Sequence, residues 1–476
     1  MNTADLHSPE DFRHALYRDF GGYLVSIGLL ALGNLLLLPL MITALSPEEI
    51  GLYSLVEAGA TPGLTLSLLG LKFAYLYHHA RQPESARPAL LGTVLLVALA
   101  SGIVTGSLLA LFYGSAKAMA LFDAAPLDSA WLLLPLMLSG AVQTLLITEL
   151  RAERRVALAG FLAVGNLAVW LLASCVLVLW AGLGLPGLLI GQTCGQTLAA
   201  LIGLAGIRRR PLFAWDGAQV QPLLRYGIPL MAGLLLRYSL DSLSRFLLAA
   251  WVGIEAAADY LIAARIAVLF DALLALPFFM AWGGLVHHAL QRPRAAAIIG
   301  LVSNLSIAAG GLLYLLLVLL QPWLFLLFTG EKRLDLAPLF AALLLSQYLI
   351  LIKSPLGAGL LRLPDTTWAA QNNLLALALY VPLAWPLMQL SGAGGAALAI
   401  AVVNLITGLI LYLQGRKLCP QQPAVGAWIL LALLVLLAPF ALWYGGLPLW
   451  LPLPLLLLAG WEMWQSGHAS VTGDGV

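Results

Sequence analysis

The sequence predicts an all-α fold: a polytopic transmembrane helix bundle of about 14 spans, with two parallel six-helix lobes plus two extra helices. Of its 476 residues, 61% are hydrophobic and 10% are charged, whereas an ordinary soluble domain has about 25% charged residues. The mean hydropathy is +0.95. Apolar stretches of about 20 residues, long enough to cross a bilayer, recur along the whole chain. A soluble protein of this length could not bury so much apolar surface, so we infer that a membrane surrounds it.

The individual spans follow from apolar stretches that Arg, Pro and Gly interrupt. The predicted spans are 20–43, 52–79, 89–113, 130–150, 157–181, 187–207, 225–249, 258–285, 295–320, 336–358, 368–390, 394–413, 425–443 and 448–464. Every loop between them is short, and none is long enough to fold on its own.

The orientation follows from the positive residues. Sixteen of the 24 Lys and Arg residues lie at one set of span ends and three at the other, while five lie within spans. Because positive loops stay in the cytoplasm, both termini are expected there, in a multi-pass protein of the bacterial inner membrane.

An internal repeat predicts the domain organisation. Arg18 and Arg225 differ by 207 positions, as do Tyr53 and Tyr260. Two copies of six spans are parallel, the symmetry of transporters whose substrate site lies between the lobes. We therefore expect a cytoplasmic lead (1–19), a first lobe (20–207), a cytoplasmic linker (208–224), a second lobe (225–413), two additional helices (425–464) and a cytoplasmic tail (465–476).

Signatures of catalysis are not found in the sequence. The run Gly182–Gly187 fits the dinucleotide pattern by letter, but it lies between two spans and not after a strand. No phosphate-binding loop and no zinc-ligand spacing is present. We expect no enzyme activity, no catalytic residue, no metal site, no cofactor and no nucleic-acid partner.

Charged side chains inside spans are the informative residues, because each is costly in a membrane and usually marks function. The candidate substrate-binding cations are Lys72, Arg237, Arg245, Arg265 and Lys353. The candidates for a gate or for ion coupling are Glu57, Asp241 and Asp271.

The positions of these charged residues in the sequence suggest which of them lie close together. Arg237, Asp241 and Arg245 lie four residues apart on one helical face, over about 12 Å. They form either an anion site in a cavity or a structural ion-pair ladder. The 207-residue offset aligns Glu57 with Ala264, next to Arg265, so Glu57 and Arg265 either pair across a closed outer mouth or pair locally within each lobe. Lys72 and Lys353 lie towards the cytoplasmic side, where they either bind substrate or snorkel to the surface.

Several motifs resemble one transporter family. The stretch Arg225–Leu230, followed by Asp241–Arg245, Gly253, Tyr260 and Ala264–Ala267, resembles the seventh and eighth spans of polysaccharide flippases. Leu45–Ser54 resembles their first outer loop. These flippases are the Wzx-type group of the multidrug/oligosaccharidyl-lipid/polysaccharide (MOP) exporter superfamily, and the resemblance covers nearly the whole chain.

The resemblance implies a lipid-linked substrate and a cationic cavity between two lobes. Members move an undecaprenyl-pyrophosphate-linked oligosaccharide across the inner membrane by alternating access. Arg245 and Arg265 match the basic residues of the family motifs, whereas Lys72, Arg237 and Lys353 match no motif. Asp241 stands four residues before Arg245, where many relatives place Asp directly beside Arg. Membrane lipids, a glycan polymerase and other polysaccharide assembly proteins are the implied partners.

Three alternatives remain open. A cation-coupled multidrug exporter of the same superfamily would place acidic residues in its cavity, and here the charge within spans is mainly basic. A membrane glycosyltransferase or polymerase would need a large outer loop. A major-facilitator transporter would carry an acidic and basic Gly-rich loop after its second span. The identity of the glycan and the choice between Na⁺ and H⁺ as coupling ion are left open.

Overall fold

The computed structural model describes residues 33–207, 214–363, 365 and 367–420, with isolated positions 28, 31 and 429. Its described part is helical and contains no strand. The predicted lead, almost half of the first span, nearly all of the last two spans and the tail lie outside the described residues, as do positions 208–213 of the predicted linker.

Thirteen helices carry the architecture of the described chain. They are α1 (Leu37–Ala44), α2 (Pro47–Leu68), α3 (Leu71–His79), α4 (Arg87–Gly114), α5 (Leu133–Ala152), α6 (Val156–Cys175), α7 (Gly184–Gly206), α8 (Gly217–Trp251), α9 (Ile254–Phe270), α10 (Leu276–Leu290), α11 (Ala295–Thr329), α12 (Ala337–Leu356) and α13 (Thr367–Leu418).

The lengths of these helices agree with the predicted spans. Among the described residues, eight helical segments are long and apolar enough to cross a membrane. One of them, α13, is broken at Ser391 and Gly392, where the backbone leaves the helical region. It therefore contains both predicted spans 368–390 and 394–413. The protein is a polytopic membrane protein, and the predicted all-α bundle is confirmed.

The second predicted span is two helices because of its local sequence. Ser46 and Glu49 form a reciprocal capping box that starts α2, with Pro47 in the first turn. The helix ends at Leu69 and Gly70, which both have positive φ angles of 46° and 71°. Gly70 adopts this conformation without steric cost. The chain then re-enters a helix as α3 at Leu71.

The described chain divides into two compact units, one spanning Leu36–Leu261 and the other comprising the described residues up to Leu35 and from Ile262 onward. The helix α8, which the sequence assigns to the second lobe, packs within the first unit. A side chain at Gly70 would collide with the backbone of Gly227 in α8, so the two backbones are in direct contact there. The predicted lobe boundaries at 207 and 225 remain predictions.

Small residues recur every four positions along the sixth predicted span, from Gly187 to Gly203, and they have a packing role in the first unit. A Cβ atom at Gly191 would meet Ser174 of α6, and one at Gly195 would meet Asn166. The glycines therefore let α6 and α7 approach closely, as small residues do between transmembrane helices.

Candidate functional site

A charged cluster in the first unit joins α2, α8 and α9. Arg245 donates through Nη1 to Glu57 Oε2 at 2.9 Å and through Nη2 to Asp241 Oδ2 at 3.0 Å. The Tyr260 hydroxyl donates to the other oxygen of Asp241 at 3.2 Å. The Arg245 guanidinium also lies 5.8 Å from the centre of the Tyr260 ring, within the range of a cation–π contact. We call these four residues the Arg245 cluster.

Local packing brings the three helices of the cluster together. Gly51 of α2 lies against the backbone oxygen of Ile254, the first residue of α9, and a Cβ atom would not fit between them. This contact places the first turns of α2 against the start of α9. Asp241 and Arg245 are four residues apart on α8, so both side chains reach the same face of that helix.

The cluster carries one net negative charge. The Arg245 side chain is 11% exposed, while those of Glu57 and Asp241 are 30% and 54% exposed. Two carboxylates thus contact one buried guanidinium, and Asp241 is the more exposed of the two. In this conformation Arg245 forms ion pairs with two carboxylates of the protein. Its pair with Asp241 is one of the contacts expected for the structural ion-pair ladder of Arg237, Asp241 and Arg245.

Arg237, the other arginine of that spacing, is exposed on α8. Within the described part of the chain no carboxylate pairs with it. Lys72 of α3 is half-buried, with its ammonium nitrogen 4.8 Å from the centre of the Phe73 ring. The structure therefore brings Arg237, Asp241 and Arg245 onto one helix, with Lys72 on a different helix of the same unit.

Lys353 belongs to a polar cluster of the second unit. Its ammonium group donates to Asn404 Oδ1 at 3.1 Å and to Thr407 Oγ1 at 2.9 Å. The Asn404 amide in turn donates to Ser346 at 3.3 Å. These neutral partners tie α12 to α13 and leave the positive charge of Lys353 without a counter-ion among them. A Cβ atom at Gly408 would meet the Lys353 stem, so that side chain is closely enclosed.

Arg265 and Asp271 also lie in the second unit. Arg265 is buried on α9, and Asp271 is half-buried in the wide helical turn Asp271–Ala275. Both take part in polar or electrostatic interactions. The predicted pair between Glu57 and Arg265 joins residues of two different units and stays a prediction.

A buried polar group that the sequence did not reveal lies elsewhere in the first unit. Glu149 of α5 is 0% exposed, accepts a hydrogen bond from the Tyr75 hydroxyl and lies 3.9 Å from His79 Nε2. Glu149 is a charged residue near the end of a predicted span, but its partners are more than 65 residues away in the sequence. No spacing rule connects residues that far apart on different helices. Over the described residues, no group of three side chains is arranged to hold a metal ion.

Comparison with known proteins identifies a family and a fold. The sequence profile of a family described as polysaccharide biosynthesis protein matches residues 41–278, which is half of the 476-residue chain. No curated protein sequence matches the chain significantly.

Solved transporter structures share the fold. The lipid II flippase MurJ in an inward closed conformation matches with a TM-score of 0.70 and 12% identity, over 96% of this chain and 98% of that one. An inward-facing multidrug resistance MATE family transporter of the MOP superfamily matches with a TM-score of 0.66 and 15% identity, over 83% and 94% of the two chains. An outward-facing transporter of that description matches with a TM-score of 0.57 and 15% identity, over 85% and 95%. These matches show the fold, and the predicted resemblance to a polysaccharide family is confirmed by the family profile.

Proposed function

This chain belongs to the polysaccharide biosynthesis protein family, and from that membership we propose that it is a flippase for a lipid-linked oligosaccharide. The substrate is an oligosaccharide on undecaprenyl pyrophosphate, and the protein moves it across the bacterial inner membrane. Both termini are cytoplasmic, so the arginine-rich ends of the helices face the side on which the substrate is made. The protein moves its substrate without chemical change.

One observation carries this proposal: a polysaccharide biosynthesis family is combined with the fold of a flippase over 96% of the chain. The solved protein with that fold is described as acting on lipid II, itself a saccharide on a lipid. A transporter fold in polysaccharide biosynthesis requires a cargo that is made on one side of the membrane and used on the other. A lipid-linked oligosaccharide meets that requirement.

Alternating access is the mechanism that we propose. The fold matches transporters described as inward-facing and as outward-facing, so one helix arrangement accommodates both states. Repeated halves that rock around a central site are a common basis for such a cycle. The polar head group crosses in a wet cavity, while the lipid tail stays in the bilayer.

Two arginines of α8 differ in whether a carboxylate of the protein pairs with them. Arg237 is exposed and has no carboxylate partner among the described residues, so it is ready to hold a pyrophosphate through paired hydrogen bonds. Arg245 is held by Glu57 and Asp241. We propose that it releases one carboxylate when the anionic head group arrives, and that Lys72, Arg265 and Lys353 add to the positive potential around the path.

The Arg245 cluster also suggests how an ion gradient drives the cycle. A proton or Na⁺ on Glu57 or Asp241 removes a competitor for the guanidinium, so ion entry favours the release of Arg245 towards substrate. Asp271 is the third candidate for this coupling. A glycan polymerase and other assembly proteins are the proposed partners, because they use the exported product.

A second candidate function is export of organic cations. The observation in its favour is the net negative charge of the Arg245 cluster, together with the fold shared with multidrug transporters. Positive Arg237, on the same face of α8, weighs against a cationic cargo.

The function is tested in a deletion strain of the host complemented with variants of Arg237. Deletion is expected to accumulate undecaprenyl-pyrophosphate oligosaccharide and to remove the surface glycan. Arg237→Gln is expected to lower the surface glycan by at least about tenfold, because a charge-assisted contact to the pyrophosphate is lost. Arg237→Lys should retain part of the activity.

The matched control is Arg294→Gln, an exposed arginine between α10 and α11, which should complement fully. Unchanged surface glycan in the deletion strain, together with new sensitivity to cationic drugs, would refute the flippase and favour the exporter.

A further inference from the structure

A pocket of about 470 Å³ opens in the first unit where α3 ends and α8 begins. Its lining residues are Tyr77, His78, Gln221, Pro222, Arg225 and Tyr226. It lies at the opposite end of α8 from the Arg245 cluster. Its volume falls in the range of small-molecule sites, about 300–1,000 Å³. A phosphorylated sugar fits such a volume, whereas a complete oligosaccharide does not.

Stacked aromatic rings form one wall of the pocket. The Tyr77 and Tyr226 rings lie 4.4 Å apart and nearly parallel, at 25°. The Arg81 guanidinium covers Tyr77 at 3.7 Å, and its Nη1 donates to the Tyr77 carbonyl oxygen at 3.0 Å. His78 contacts Tyr77 edge-on at 5.2 Å. Tyr77 and Tyr226 are still 37% and 38% exposed, so this platform is open to a ligand.

The two helices that carry the platform are fixed in place. Gly70 and Gly227 are in backbone contact, and Gly227 directly follows Tyr226. On the other side, Gln82 donates to Gln219 at 3.4 Å, and Gln219 donates to Asp216 at 2.7 Å. The pocket therefore keeps its shape without a ligand, which reduces the entropy cost of binding.

The charge of the pocket suits an anion. Among the described residues no carboxylate lines it, and Arg225 has no ion-pair partner there. The His78 imidazole adds a possible donor to the lining. Guanidinium groups bind phosphate through two parallel hydrogen bonds, while the apolar faces of sugars pack on aromatic rings. The pocket thus offers both groups that a glycosyl phosphate needs.

We propose that this pocket is the loading site for the first sugar and the phosphate next to it in the lipid-linked substrate. Arg225 and His78 hold the phosphate, and the Tyr226 ring packs against the sugar. This assignment rests on the proposed flippase function, in which this end of α8 is cytoplasmic. It adds a recognition step before the substrate reaches the charges within the membrane, and it makes the first sugar a determinant of specificity.

The test measures binding of tritium-labelled farnesyl-pyrophosphoryl-N-acetylglucosamine to the full-length protein in nanodiscs. Tyr226→Ala and Arg225→Gln are each expected to weaken binding by about tenfold or more, since each removes one of the two contacts. Tyr226→Phe keeps the ring and should bind within about twofold of the wild type. The matched controls are Tyr238→Ala, which removes an equally exposed tyrosine of the same helix, and Arg151→Gln, which removes an exposed arginine of α5. Both should bind like the wild type.

A second arm separates the sources of the ligand. Uridine diphosphate N-acetylglucosamine carries the same sugar and phosphate without a lipid tail that concentrates it in the membrane, so it should compete only weakly. If it binds more tightly than the farnesyl probe, the lipid-linked assignment is overturned. If Tyr226→Ala and Arg225→Gln bind as the wild type does, the loading site is overturned.

Flipping of the full-length lipid-linked oligosaccharide is measured in parallel. A wild type that flips while the pocket variants bind normally refutes the pocket and leaves the flippase intact. A wild type that neither binds the probe nor flips refutes both. Aromatic residues that only anchor the helix ends in the membrane interface would give the first of these results.

Discussion

Replacement of Arg245 by leucine is expected to destabilise the protein and to stop transport together. Glu57 and Asp241 would lose their shared cation, and Glu57 is 30% exposed, so water can replace the guanidinium only in part. Removing one partner of a buried pair costs about 3–5 kcal/mol. Because Asp241 is more exposed, we expect about 2–3 kcal/mol here. In a unit of this size that lowers the apparent melting temperature by about 5–10 °C.

The measurement is thermal unfolding of purified protein, followed by intrinsic tryptophan fluorescence, with flipping assayed on the same samples. Arg237→Leu is the matched control, because it removes an arginine from the same helix that is exposed and has no carboxylate partner in the described chain. It should leave the melting temperature nearly unchanged and still reduce flipping. Equal melting temperatures for Arg245→Leu and the wild type would contradict the role of the cluster in holding α2, α8 and α9 together.

Replacement of Gly227 by alanine is expected to destabilise the first unit strongly for so small a change. The added Cβ atom would overlap the Leu69 carbonyl oxygen, and the neighbouring backbone of Gly70 lies close behind it. Backbone atoms cannot move aside as a flexible side chain can, so α3 and α8 must separate. Overpacking of this kind costs about 1–3 kcal/mol, and the separation also opens the platform of Tyr77 and Tyr226.

Gly233→Ala provides the control on the same helix. No atom lies within 4 Å of a Cβ atom at that position, and alanine favours a helix over glycine by about 1 kcal/mol. Its melting temperature should therefore equal or exceed that of the wild type, while that of Gly227→Ala should fall. A fall of equal size in both variants would show that the close approach of α3 and α8 does not determine the effect.

The spans could be predicted from the sequence because the membrane imposes a length and a composition on each one. The predicted span 89–113 corresponds to Arg87–Gly114, and the predicted break between 390 and 394 falls at Ser391 and Gly392. The break between α2 and α3 was not predicted. It depends on a left-handed conformation at Leu69, a residue whose side chain does not favour that conformation.

The charged residues of the site could be found from the sequence, but their partners could not. A charged residue within an apolar span can be recognised from the sequence. Its pairing partner, in contrast, depends on how two helices are rotated and shifted relative to each other. Glu57 and Arg245 are 188 residues apart, and the repeat symmetry pointed to Arg265 as the partner of Glu57. The Tyr260 hydroxyl on Asp241 and the enclosure of Lys353 by Asn404 and Thr407 depend on tertiary packing in the same way.

The central claim, that the protein moves a lipid-linked oligosaccharide between leaflets, is tested most directly in proteoliposomes. The purified protein is reconstituted with undecaprenyl-pyrophosphate oligosaccharide in both leaflets, and a glycosidase that cannot cross the membrane is added outside. Wild-type vesicles should lose nearly all of the glycan at a rate that depends on the amount of protein, while protein-free vesicles lose only the outer-leaflet fraction. If wild-type vesicles retain the inner-leaflet glycan with and without Na⁺ or proton gradients, although the protein is folded and inserted, the flippase account is contradicted.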